Sequence, residues 1–154
     1  MTITYELLHE LFQYEDGKLY WKKNGKQAGC QKPHGYRQVS VNNKLYYEHR
    51  IIFMMHYGYF PKCTDHKDGN KANNKIENLR EATFSQNSWN IKRREDTASQ
   101  IKSVSKNLKG KPWRVRIAVQ GKRIDFGSFD DLELAELVAS EARDKYHKQF
   151  ARDY

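Results

Sequence analysis

The sequence predicts an α+β chain built as two small domains, and three observations carry that prediction. Residues 1–94 interleave helix and strand patterns with turn signals and hold the longest apolar run, Ile51 to Met55. Residues 95–103, EDTASQIKS, are small or polar and lack periodicity, so they read as a linker. Residues 104–154 then give two alternating strand patterns followed by one amphipathic helix. At 154 residues the chain has room for two such units, each burying only a modest core.

The first helix is expected over Thr4 to Gln13, where Thr4 can cap and Leu7, Leu8, Leu11 and Phe12 recur at helical spacing. YEDGKLYW follows, with Asp16-Gly17 as a two-residue turn between strand-favouring residues. GYRQVSVNNKLYYEHR alternates well enough for two strands about Asn42-Asn43, and Ile51 to Tyr57 makes a short apolar helix. Thr83 and Gln86 have the spacing of a capping box, which predicts a helix running to about Arg94.

In the second unit, strands are expected over Trp113 to Val119 and Lys122 to Phe129 about a Gln120-Gly121 turn, then a helix from Leu132 to Gln149. Alternation sets Val115, Ile117 and Val119 on one strand face and Arg114 and Arg116 on the other. The helix presents Leu134, Val138, Ala142 and Tyr146 at four-residue spacing. Ala135 and Ala139 are small enough to let it lie close to the sheet.

Charge points to the partner. With 28 Lys and Arg against 19 Asp and Glu the formal net charge is +9, which favours a polyanion, and nucleic acid is the leading partner. Lys106, Lys109, Lys111, Arg114, Arg116, Lys122 and Arg123 fall in a segment, 106–123, that contains no acid. The chain beyond is net acidic, so the sheet would face a polyanion while the helix repels it. No apolar run approaches a membrane span, and the acidic N-terminal residues do not suit a signal peptide. Cys30 and Cys63 stand apart without a Cys-x-x-Cys spacing, so neither a disulfide framework nor a cysteine zinc site is expected. The expectation is a cytoplasmic protein.

The stretch DHKDGNKANNKIENLREATFSQN, residues 65–87, crowds short polar side chains where a core segment would carry apolar ones. Phosphodiester cleavage needs an activated water, a cation on the phosphate and a group that holds the base in place, and this stretch offers candidates for each. Asp65 and His66 are adjacent, so on a strand their side chains point to opposite faces. The Asp65 carboxylate suits a hard divalent ion, Mg²⁺ before Mn²⁺, and the amide oxygen of Asn87 is a candidate second ligand. A neutral His66 can take a proton from water near neutral pH, and Asn78 could hold its other ring nitrogen through an amide oxygen. The rival reading, a calcium loop, fails in both registers. Counting from Asp65 the sixth and twelfth positions are Asn70 and Ile76, and counting from Asp68 they are Asn73 and Leu79, where Gly and Glu are needed.

The same block resembles the HNH nucleases, specifically the homing-endonuclease branch in which Asp-His is followed by Asn at twelve and at twenty-one residues after the His. Asp65, His66, Asn78 and Asn87 match in type and spacing. The resemblance implies a ββα-metal (His-Me finger) domain over 1–94, with Asp65 and Asn87 as ligands of one metal, His66 as general base and Asn78 orienting it. Residues 104–154, with KPWRVRIAVQGKRIDFGSFDDLELAELVASEARDKYH, resemble the APETALA-type DNA-binding domain, a three-stranded antiparallel sheet backed by a helix. That likeness implies DNA contact through Trp113, Arg114, Arg116 and Arg123, with Lys122 in the same basic hairpin. Phage and other mobile-element nucleases join such parts, which implies a phage-infected or bacterial cell as the setting. The function expected is a metal-dependent, site-preferring DNA endonuclease. The alternative is a DNA-binding regulator on an inactive nuclease scaffold. His49 stands outside the expected catalytic set as a supporting residue, and Asn70, Asn73 and Asn74 are expected to shape the loop.

Overall fold

Thr4 caps the first helix as its position suggests: its hydroxyl accepts from the Leu7 amide at 3.3 Å, and α1 runs Tyr5–Leu11. The computed structural model describes residues 3–90 and 98–151, and the chain divides into two units, Met1–Thr83 and Phe84–Tyr154. Among the described residues no helix is long and apolar enough to cross a membrane.

In the first unit, β1 (Phe12–Glu15) and β2 (Lys18–Trp21) pair as a hairpin whose turn residues, Asp16 and Gly17, both take positive φ. A three-stranded antiparallel sheet follows in the order β3 (Cys30–Gln31), β4 (Arg37–Val41), β5 (Lys44–Tyr47), and Asn42 and Asn43 make its left-handed turn. Helix α2 spans Glu48–Tyr57, beginning three residues before the apolar run, and stops where Gly58 takes φ 79° and donates to the Met54 carbonyl. Its residues Ile51 to Met55 are all buried, so this helix is the centre of the unit rather than a surface element. Leu8, Phe12, Leu19 and Val39 close around it. Strands β6 (Cys63–His66) and β7 (Leu79–Ala82) pair antiparallel at the end of the unit, joined by a polar loop with a 3₁₀ turn at Ile76–Asn78.

The second unit begins with α3, Phe84–Trp89. The part of this helix expected from residue 91 to Arg94 lies outside the described residues. Strands β8 (Val104–Lys106), β9 (Trp113–Val119) and β10 (Lys122–Phe129) form an antiparallel sheet in the order β10-β9-β8. Helix α4, Leu132–His147, is capped by Asp131 and packs on that sheet. Its buried stripe is Ala135, Ala139, Ala142, Arg143 and His147, whereas Leu134 is 47% exposed. The expectation for Leu134 is therefore corrected: the core side centres on Ala135, Ala139 and Ala142 with Val138 packed beside them, and Leu134 lies at the exposed edge.

The linker reading also needs correction over residues 98–103, which belong to the second unit's structure. Ser99 is buried and donates to the Val104 carbonyl at 2.6 Å, Ile101 packs on the core, and Arg143 donates to the Lys102 carbonyl at 2.6 Å. The Ser99 hydroxyl donates to the Val104 carbonyl and accepts from the Ile101 amide, closing a tight turn in a stretch that looks from sequence like a flexible tether. Residues 95–97 lie outside the described residues.

Candidate active site

The β6–β7 hairpin positions the expected chemistry. In its register Asp65 lies opposite Arg80 and His66 opposite Leu79. Both Asp65 and His66 are buried, at 3% and 4% exposure, although aspartate is mostly found in water and histidine is intermediate in burial. Arg80 Nε donates to Asp65 Oδ2 at 2.7 Å, a charge-assisted bond in a site largely shielded from solvent.

The loop between the strands is held by its own short side chains. Asp68 accepts from the Asn70 amide at 2.8 Å and from the Asn73 side chain at 2.7 Å, and Asn70 in turn accepts from the Ala72 amide. Asn78 belongs to this loop lattice. Its amide nitrogen donates to Asp68 Oδ1 at 2.9 Å and to the Asn73 carbonyl at 2.8 Å, and its oxygen accepts from the Asp68 amide at 3.1 Å. Against a desolvation penalty, these amides hold the Asp68 carboxyl below its usual range.

The residue on the imidazole is Asn74, and the expected role of Asn78 as its direct partner is corrected. His66 Nε2 lies 2.8 Å from Asn74 Oδ1. Asn74 Nδ2 donates to Glu48 Oε2 at 2.9 Å, and Glu48, fully buried at the start of α2, accepts the Leu19 amide on Oε1 at 3.2 Å. Arg37 Nε sits 3.2 Å from Glu48 Oε2 at ion-pair rather than hydrogen-bond geometry. Burial pushes the Glu48 carboxyl up and the His66 imidazole down; for His66 the contact with Asn74 and the charges of Asp68 and Asp65 oppose burial. Neither Glu48 nor Asn74 stood out in the sequence. An acid in a helix's first turn is ordinary, and Asn74 looks like any other loop asparagine.

His49 stands closer to the site than its sequence context suggested. Its ring meets that of His66 edge-on at 4.9 Å, and burial, reinforced by His66 and Arg50, lowers its pKa to about 3. Tyr36 completes the wall, with its ring 5.3 Å from His49 and 6.0 Å from His66. Lys71 Nζ lies 4.9 Å from the centre of that ring and donates to the His34 carbonyl at 3.2 Å.

Among the described residues no group of three or more His, Cys, Asp or Glu gathers to hold a metal. The donors expected for one are oxygens, the buried Asp65 carboxylate and the Asn87 amide, and their chemistry suits a hard divalent ion that keeps several waters. Asn87 is half-buried on α3, in the second unit.

In the β8–β10 sheet the outer face carries Arg114, Arg116 and Arg123, but also Asp125, which lies opposite Arg116 in register and is bonded to the Arg114 guanidinium. That pairing holds Asp125 below the usual carboxylate range. Trp113, which the resemblance implied as a DNA contact, shares strand parity with Val115 and packs against the core, on the side opposite Arg114 and Arg116. Lys122 sits exposed at the hairpin end, opposite Val119.

Comparison with known proteins agrees with the first half of this picture. The HNH endonuclease family matches residues 46–89, the segment that holds Glu48, His49, Asp65, His66, Asn74, Asn78 and Asn87. Protein 3.8 of Escherichia phage T7 is 38% identical over 88 residues, which cover 57% of this chain and 72% of that protein. No solved structure matches significantly. The chain thus belongs to the same family as phage T7 Protein 3.8 and carries an HNH endonuclease domain at residues 46–89.

Proposed function

We propose that the protein is a metal-dependent DNA endonuclease in which His66 is the general base. The observation that carries this reading is a buried imidazole held through Nε2 by Asn74 and adjacent on its strand to a buried aspartate, inside the segment that matches the HNH family. With Nε2 protonated, Nδ1 is the basic nitrogen that takes the proton from the attacking water. Asp65 and Asn87 are the groups that would hold the divalent ion, Mg²⁺ before Mn²⁺, which supplies charge stabilisation at the scissile phosphate when bound. Asn78 supports the site by stiffening the loop on which Asn74 lies.

The basic face of the second unit, through Arg114, Arg116 and Arg123, with Lys122 at its edge, is the proposed contact with double-stranded DNA and the source of site preference. A homing-type, site-preferring enzyme acting in a phage-infected cell is the finer form of this reading. The phage relative and the APETALA-like sequence pattern support it.

Supercoiled plasmid incubated with the protein in Mg²⁺ and in EDTA tests the reading. Nicking or linearisation is expected in Mg²⁺ alone, and His66→Ala is expected to lower the rate by about 10² to 10⁴ while DNA affinity and folding are retained. A second reading, a DNA-binding regulator on a nuclease scaffold, draws on the Asp65–Arg80 ion pair, which gives Asp65 a structural role. Tight DNA binding without cleavage in Mg²⁺ or Mn²⁺ would favour it.

A further inference from the structure

We propose that Glu48 is a positioning residue for His66, acting through Asn74 to hold the imidazole in its Nε2-protonated tautomer. The functional meaning of this proposal rests on His66 being the general base. The structural claim does not.

The argument follows the direction of each hydrogen bond. Glu48 is fully buried, and its carboxylate meets three donors or cations: the Leu19 amide, the Asn74 side chain and the Arg37 guanidinium. The Leu19 amide and the Arg37 guanidinium favour the ionised form against the burial that raises the Glu48 pKa, and an ionised carboxylate only accepts, so the end of the Asn74 amide that faces it at 2.9 Å is the NH₂. The carbonyl end of the same planar amide then points to His66, 2.8 Å from Nε2. A carbonyl oxygen also only accepts, so Nε2 must carry the proton and Nδ1 the lone pair. Each partner thus leaves the next a single choice. The choice originates at Glu48, which sits on α2, at the centre of the first unit's core.

Without an acceptor-only group at position 48 the amide could turn over, present NH₂ to Nε2 and stabilise the opposite tautomer, which carries its proton on the nitrogen meant to receive one. Arg37 anchors the arrangement from the other side. Its guanidinium also donates to the Ala28 and Gly29 carbonyls at 3.1 and 3.2 Å, tying the start of α2 to the sheet.

Long-range ¹H–¹⁵N correlation spectra of the ¹⁵N-labelled full chain, metal-free at pH 7.5, read the tautomer directly, with the His66 signals assigned by their loss in His66→Gln. The wild type is expected to show a protonated Nε2 and an unprotonated Nδ1. A protonated Nδ1 overturns the proposal, and this arm decides even if no variant folds. Glu48→Gln, which can present either end of its amide to Asn74, should move His66 toward a mixture of tautomers. It should also lower kcat for plasmid cleavage about 10-fold, with KM within twofold. An unchanged tautomer in a folded Glu48→Gln variant overturns it. Adding Asn74→Asp to Glu48→Gln returns an acceptor-only group to Nε2 and should restore both the tautomer and most of kcat; in a folded double variant, failure to restore the tautomer counts against the relay. A protein that shows the expected tautomers but never cleaves DNA would overturn the nuclease reading and leave the relay standing.

Discussion

Arg80 lies directly across the ladder from Asp65 and donates to its carboxylate at 2.7 Å, with both side chains largely buried. The proposed metal ligand therefore has a cationic partner built into the same hairpin. Removing that partner from a buried carboxylate is expensive, on the order of 3 kcal/mol. Arg80→Met should therefore lower stability by about that amount in EDTA, and Mg²⁺ should recover part of the loss by supplying positive charge to Asp65. Urea unfolding in EDTA and in Mg²⁺ checks this. An equal loss in both would mean that Asp65 does not bind the ion and serves only the ion pair.

His49 makes stability depend on pH in a defined window. Its folded pKa of about 3 lies below the ordinary value of 6.5, so between these values the unfolded chain binds the proton and the folded one does not. Its contribution is then fully present above 6.5 and is lost as pH falls toward 3. From pH 7.5 to 5.5 the loss from His49 alone is about 1.4 kcal/mol. His66 acts in the same direction, and Glu48, whose pKa is raised, opposes them at the acid end. Urea unfolding at both pH values should show this drop in the wild type and a smaller one in His49→Gln. Equal drops would locate the titration elsewhere.

Much of the fold was legible because the local signals agree with the packing. The Asp16-Gly17 and Asn42-Asn43 turns, the Thr4 cap and the β9–β10 hairpin are each set by a few adjacent residues, and each forms where its residues predict. The site was legible only in part. Asp65 and His66 are neighbours in sequence, so their shared strand follows from local pattern. The Glu48–Asn74 contact joins residues 26 apart, and no spacing rule links a helix start to one asparagine among several in a loop. Trp113 shows the limit of a likeness: the resemblance that implies DNA contact does not carry strand parity, and parity with Val115 turns the ring to the core.

Gly17 should be more sensitive to substitution than its place in a two-residue hairpin turn suggests, because it is buried there. Its φ is +81°, and an added Cβ would lie 2.8 Å from the Lys75 backbone nitrogen and 3.1 Å from the Asn74 carbonyl carbon. The β1–β2 hairpin tip thus packs on the backbone that carries Asn74, and the Tyr14 hydroxyl accepts from the Ile76 amide beside it at 3.1 Å. Gly17→Ala combines backbone strain with a clash and is expected to cost about 2–3 kcal/mol, with cleavage reduced as Asn74 shifts. Gly121→Ala is the control: φ is +80° there too, but nothing lies within 4 Å, so about 1 kcal/mol and normal cleavage chemistry are expected. Chemical unfolding and single-turnover cleavage of the two variants separate strain from displacement, and equal effects of the two would mean that the hairpin tip does not position Asn74.

The sheet of the second unit makes a prediction that separates binding from folding residue by residue. Arg116 and Arg123 lie on the outer face and Trp113 on the core side. If the outer face meets DNA, Arg116→Ala and Arg123→Ala should each weaken binding and reduce the slope of log K against log salt by about 0.9, the value for one phosphate contact. Trp113→Ala should leave the slope alone and lower stability by about 2 kcal/mol, because a half-buried ring leaves the core cluster. Arg114 is the informative intermediate. Its guanidinium is bonded to Asp125, so DNA must compete with an internal carboxylate for it. Asp125→Asn should therefore tighten binding and steepen the salt dependence, since it releases Arg114 and removes a negative charge facing Arg116. Fluorescence titrations of a labelled duplex at several salt concentrations give all four slopes. A slope unchanged in Arg116→Ala, Arg123→Ala and Asp125→Asn alike would place the DNA on another surface of the chain.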